Sequence, residues 1–142
     1  MTTSIESAVK LLHSSGEATL AVVNHGISRV YTERGVKPLL DLATTAPDFL
    51  RGATVADKVT GAAAAFILVY AGAKELYTGV ISKRAEEVLK KYGISYEAET
   101  RVEHIINRRG DGFCPMETAV RGIETPEEAV DAVKRAVIAL QG

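Results

Sequence analysis

Between Gly61 and Gly72 the chain carries ten consecutive uncharged residues, Ala62-Ala-Ala-Ala-Phe-Ile-Leu-Val-Tyr-Ala71. So apolar a run has to leave water, yet it is too short to cross a bilayer, which takes roughly 20 residues. It therefore predicts a helix within a protein core. Val59, Ala62, Ala63, Phe66, Ile67 and Tyr70 recur at helical spacing, which carries the predicted helix back over 54–70. Four small side chains, Ala62 to Ala65, give it a smooth face that can lie close against a sheet.

The flanking segments supply that sheet. Ser4 to His13 predicts a helix capped by Ser4, with Ile5, Ala8, Val9 and Leu12 on one face. Thr19–Val23 and Ile27–Thr32 alternate as strands about the turn signal Asn24-His25-Gly26. Pro38 suits the first turn of a helix through Leu42. Lys74–Ile81 predicts a strand, parallel to an earlier one because a whole helix intervenes. Ser82 can cap a helix over 83–92, Gly93 stops it, and Ile94–Glu99 is a further strand. Arg101–Ile106 is a candidate fifth. Pro115–Arg121 predicts a short helix and Thr125–Leu140 a long one, opened by a Thr125/Glu128 capping box. An antiparallel pair followed by alternating helices and strands implies an α/β fold. Its mixed sheet has four to five strands covered on both faces, in one domain over 1–142.

Charge narrows the partners. Seventeen basic residues against eighteen acidic leave a net charge of -1, which argues against a broad nucleic-acid surface but not against a local anion site. The single cysteine, Cys114, permits no internal disulfide and fits a reducing cytoplasm. The first residues lack the basic and apolar regions of a signal peptide. The expectation is a cytoplasmic protein with no membrane partner.

Three segments could carry chemistry. Thr54 and Asp57 have the spacing of a capping box, but Asp57 and Lys58 at a helix start could equally open into a cleft. Cys114 precedes Pro115, placing it at a helix cap, where the dipole and Arg108 or Arg109 would favour the thiolate. Glu117 would oppose that and reads better as a cap than as a base. The plainer alternative is a small buried thiol behaving as a hydrophobe. In Asn107-Arg-Arg-Gly-Asp-Gly112, glycines can wrap an anion and arginines grip it, unless Arg109 and Asp111 merely pair. Arg34-Gly35-Val36-Lys37 is a weaker anion candidate. No phosphate loop, dinucleotide fingerprint or nucleophile elbow is present, and His13, His25 and His104 lack metal-ligand spacing.

Thr54-Val-Ala-Asp-Lys-Val-Thr-Gly-Ala-Ala-Ala64 and Ile106-Asn-Arg-Arg-Gly-Asp-Gly-Phe-Cys-Pro-Met-Glu117 resemble the motifs of a small prokaryotic family of unknown function. Gly35-Val-Lys-Pro-Leu-Leu40 and Val80-Ile-Ser82 match its pattern too. The resemblance implies a cytidine deaminase-like three-layer α/β/α fold. Deaminases of that fold place His-x-Glu at the start of the central helix and Pro-Cys-x-x-Cys after the next strand. Here those places read Ala56-Asp57-Lys58 and Ile81-Ser82-Lys83-Arg84-Ala85. The resemblance therefore implies no zinc, no other cofactor and no zinc-dependent deamination, while keeping the location of the cleft.

The expected function is binding of a nucleotide or related phosphorylated small molecule in that cleft. Lys58, Ser82, Asn107, Arg108 and Glu117 are the candidate ligand residues. If the protein is an enzyme, Asp57 and Cys114 are the candidate catalytic groups. The alternative is a non-catalytic regulatory or interaction domain, and self-association into a homo-oligomer stays open.

Overall fold

A computed structural model describes residues 3–106, 110, 112 and 114–141. Along the chain run α1 (Ser4–Leu12), β1 (Leu20–Asn24), β2 (Ile27–Tyr31), α2 (Lys37–Thr45), α3 (Pro47–Leu50) and β3 (Thr54–Thr60). Then follow α4 (Ala62–Ala71), β4 (Glu75–Ser82), α5 (Lys83–Tyr92), β5 (Ser95–Val102), α6 (Pro115–Ala119) and α7 (Pro126–Gln141). The five strands form one mixed sheet in the order β2-β1-β3-β4-β5. β1 pairs antiparallel with β2 and β3, whereas β3–β4 and β4–β5 are parallel.

One expectation is overturned. Thr54–Thr60 is the middle strand of the sheet, and the central helix begins only at Ala62. Val55, Val59, Thr54 and Thr60 are β-branched and fit a pleated surface better than a helix. With β1 on one side and β4 on the other, every residue from Thr54 to Asp57 finds a ladder partner. The spacing of Thr54 and Asp57 that suggested a capping box is coincidental. Thr54 donates instead to Glu75 Oε2 at 2.7 Å.

Arg101–Ile106 is not a separate strand, since Arg101 and Val102 continue β5 and the fifth strand is β3 itself; several other boundaries hold closely. Ser82 caps α5 by accepting from the Ala85 N–H, and Thr125 accepts from the Glu128 N–H at the start of α7. The first helix is capped by Thr3 rather than Ser4. His25 and Gly26 both have positive φ, as a two-residue hairpin turn requires to match the strand twist. No helix among the described residues is long and apolar enough to cross a membrane.

Helices cover both faces. On one, α1 packs Ala8 and Leu12 onto Ala21, Ala56 and Tyr77. On the other, α4 lies among α2, α5 and α7, and its residues from Ala62 to Leu68 are all buried. A helix apolar all round needs that position, because any exposed face would cost hydrophobic free energy.

Gly79 shows how closely β3 and β4 approach. A Cβ there would stand 2.9 Å from the Lys58 carbonyl oxygen, a backbone atom that cannot step aside. Gly79→Ala should therefore destabilise the fold by about 1–3 kcal/mol. Thermal unfolding checks this, and a Tm within a degree of wild type would show that the strands part at no cost.

Candidate functional site

Because β3, β4 and β5 are parallel, their carboxyl ends share one edge of the sheet. Beyond it start α4, after Gly61, and α5, after Ser82. Ligands of open parallel sheets bind outside the carboxyl ends of strands, where helix N-termini also gather.

Gly61 has no side chain to cap α4. The cap comes from another element: Glu117 on α6 accepts the Ala62 N–H at 2.6 Å through Oε1. Burial raises the pKa of Glu117 above the ordinary carboxylate value, while the Ala62 N–H, Arg84 and His104 pull it back. The expectation that Glu117 serves as a cap is met, but for α4 rather than its own helix. Arg84 donates to the carbonyls of Val120 and Ile123, both at 2.6 Å, and lies 5.5 Å from the Phe66 ring centre. It thereby ties α5 to the α6–α7 connection. Arg84, Glu103, His104, Ile105, Glu117 and Arg121 enclose a hollow of about 150 Å³.

Asp57 lies on β3 rather than at a helix start. Strand alternation turns it, with Val55, toward the face that carries α4. Its register partner Thr78 and the nearby Thr60 are fully buried. Burial pushes the Asp57 carboxyl up to about 7, against the opposing pull of the Val59 and Lys58 N–H groups and the Thr60 hydroxyl. Two buried hydroxyls lie beside it. Thr78 donates to the Val80 carbonyl at 3.0 Å, and Thr60 donates to Thr78 at 2.9 Å. Thr60 Oγ1 also stands 3.5 Å from Asp57 Oδ2, where its proton can turn to the carboxylate instead, the pull that opposes burial.

The remaining candidates separate. Lys58 turns to the opposite face and donates to the Gly16 carbonyl at 3.0 Å, so it does not share Asp57's surroundings. Ser82 is buried, with its oxygen on the Ala85 N–H. Cys114 is half-buried at the cap of α6, its own N–H bonded to the Ile105 carbonyl. Cys114 and Asp57 share no hydrogen bond among the described residues. Asn107 and Arg108 lie outside the described residues, as do Arg109 and Asp111. In the weaker anion candidate, Lys37 pairs with Asp41 at 3.0 Å.

Sequence reasoning did not single out Arg84, Glu103 or Arg121, and it left His104 unassigned. They come from separate segments with no shared motif, so spacing could not join them. The Glu117 capping contact shows that α6 closes over the start of α4. The two helix starts do not fit a zinc site. Neither carries a histidine or cysteine of its own, and no three His, Cys, Asp or Glu side chains are placed to hold a metal ion among the described residues.

Nothing among proteins of curated function matches this chain. A solved structure does: a DUF1893 family protein from Thermotoga maritima is 27% identical, over 95% of this chain and 90% of that one, with a TM-score of 0.85. The sequence profile of the domain of unknown function DUF1893 matches residues 7–137. The span covers every strand of the sheet and both carboxyl groups at the β3–α4 junction, and the chain belongs to the DUF1893 family.

Proposed function

We propose that the protein binds a phosphorylated small molecule of the nucleotide class at the carboxyl edge of β3–β5, and that its fold is deaminase-like. The observation that carries this is the convergence of Arg84, Arg121 and His104 on one hollow beside the start of α4. Two arginines at a helix N-terminus suit a phosphate, with His104 beside them and the carboxylates of Glu103 and Glu117 on the same hollow. The hollow of about 150 Å³ takes a phosphate with part of its sugar, and the rest extends along the sheet edge. Support for the deaminase-like fold is the adjacent starts of α4 and α5 above parallel strands, the place where that fold keeps its chemistry. If the site is catalytic, Asp57 is the acid–base candidate, since a group titrating near neutrality can both give and take a proton.

A second reading, a ligand-sensing domain without catalysis, is favoured by one specific contact. Glu117 already holds the first N–H of α4, which a reacting group would otherwise need.

The test is thermal unfolding with nucleoside monophosphates, ribose 5-phosphate and inorganic phosphate. A binder at a hundredfold its Kd should stabilise the protein by about 2.7 kcal/mol, and His104→Ala should reduce that stabilisation. If no member shifts Tm at millimolar concentration, the proposal is wrong.

A further inference from the structure

The C-terminal end of α4 has a larger hollow than the start of the same helix. It measures about 500 Å³ and is bordered by Thr44, Pro47, Arg51, Tyr70, Gly72 and Lys134 among others. The two hollows lie at opposite ends of α4, roughly 15 Å apart at 1.5 Å per residue. That volume falls within the range of small-molecule sites, roughly 300–1,000 Å³.

Its lining has a definite chemistry. Both ionisable groups with a fixed charge, Arg51 and Lys134, are cationic, and no carboxylate borders the hollow among the described residues. The local sign is thus opposite to that of the whole chain. Among the described residues Arg51 forms one ion pair, with Asp48 at 3.4 Å and both side chains well exposed, a pairing that solvent weakens. Lys134 takes part in no ion pair among the described residues. Tyr70 leaves 47% of its surface exposed at the rim. An aromatic face held on a helix is a stacking platform that loses little entropy on binding.

The backbone adds acceptors. In a continuing helix the N–H groups of Lys74 and Glu75 would reach the carbonyls of Tyr70 and Ala71. Both instead donate to the Ala53 carbonyl. The carbonyls of Tyr70 and Ala71 therefore receive no backbone donor from the segment that follows. Cations alone could be explained as partners for the negative end of α4. That account does not require an exposed ring, two carbonyls without a backbone donor from the following segment and a cavity of this size together.

We infer that this hollow is a second ligand site, for an amino-substituted heteroaromatic ring bearing one anionic group. The ring stacks on Tyr70, its amino group donates to the Tyr70 or Ala71 carbonyl, and the anion meets Arg51 and Lys134. This holds whether or not the site at the other end of α4 binds anything.

Backbone amide NMR with three probes tests it: adenosine 5′-monophosphate, adenosine and ribose 5-phosphate. The monophosphate at millimolar concentration should shift the Thr44, Ala71 and Gly72 amides. Adenosine and ribose 5-phosphate, each lacking one half of the recognition, should bind at least about tenfold more weakly. Tyr70→Ala and the Arg51→Ala/Lys134→Ala pair should each weaken the monophosphate about tenfold or more as read at the Thr44, Ala71 and Gly72 amides. The spectra themselves report that each variant is folded. If the monophosphate moves only amides near Ala62 and Glu117, this inference fails while the proposed function stands. If the Ala71 and Gly72 amides stay unmoved, or move equally in Tyr70→Ala, it fails as well.

Discussion

Asp57→Asn should be more stable than wild type above pH 7 and no more stable near pH 4. The folded Asp57 carboxyl titrates near 7, against an ordinary value of 3.8. Between those values the folded protein holds a proton that the unfolded chain has released. Stability therefore falls as pH rises through this window and levels off above about 7. At 1.36 kcal/mol per unit, with some allowance for partial exposure, the loss is on the order of 2–4 kcal/mol. Asparagine stays neutral throughout and keeps the shape of the acid, so it removes the decline. Denaturant melts of both proteins at half-unit steps from pH 4 to 8 measure this directly. Parallel curves would show that Asp57 is ionised in the folded state. The converse outcome bears on function. A carboxyl whose amide folds better is not needed for folding, and perturbed acids of that kind concentrate at functional sites.

Gly61→Ala should lose about as much stability as Glu117→Ala, and the two losses should not add. Gly61 has extended backbone, φ -97 and ψ -177, that any residue can adopt, so no strain follows from the new side chain itself. Its Cβ, however, would collide with Glu117 Oε1 and come within 2.8 Å of Cδ. The carboxylate must leave the Ala62 N–H. A lost cap costs about 1 kcal/mol, and a buried donor left without an acceptor brings the total to roughly 2 kcal/mol. Since Glu117→Ala removes the same bond, the double variant should be destabilised by little more than either single one. Thermal or denaturant unfolding of the four proteins completes the cycle. Additive losses would mean that the Glu117 carboxylate finds the Ala62 N–H despite the methyl group. The same pair also tests the site, because a ligand that needs Glu117 in place should be lost from both single variants together.

How far the fold was legible depended on how local its causes were. Caps and stops act within one turn, so Ser82 before α5, Thr125 with Glu128 before α7, and the Asn24-His25-Gly26 hairpin could be placed from spacing. The charge-free run from Ala62 fixed a buried helix, because no other arrangement hides so many apolar groups over ten residues. The β3 segment was not legible in this way. Its apolar residues continue the helical spacing of α4, and only the neighbouring β1 and β4, contributed from far along the chain, favour the extended form.

The site divides along the same line. Glu117 and Asp57 were identifiable as acids with something to explain, but their settings were not. Asp57 became a half-buried acid of raised pKa because strand alternation turned it to the α4 face beside its β4 partner Thr78. Lys58, one residue on, was turned to the opposite face by the same alternation. Arg84, His104 and Glu117 share a hollow only because α6 folds back over the start of α4. Short-range chemistry decides which segments begin, end and hide from water. Which charges then meet depends on packing between distant segments, and no pattern within a single turn or strand records it.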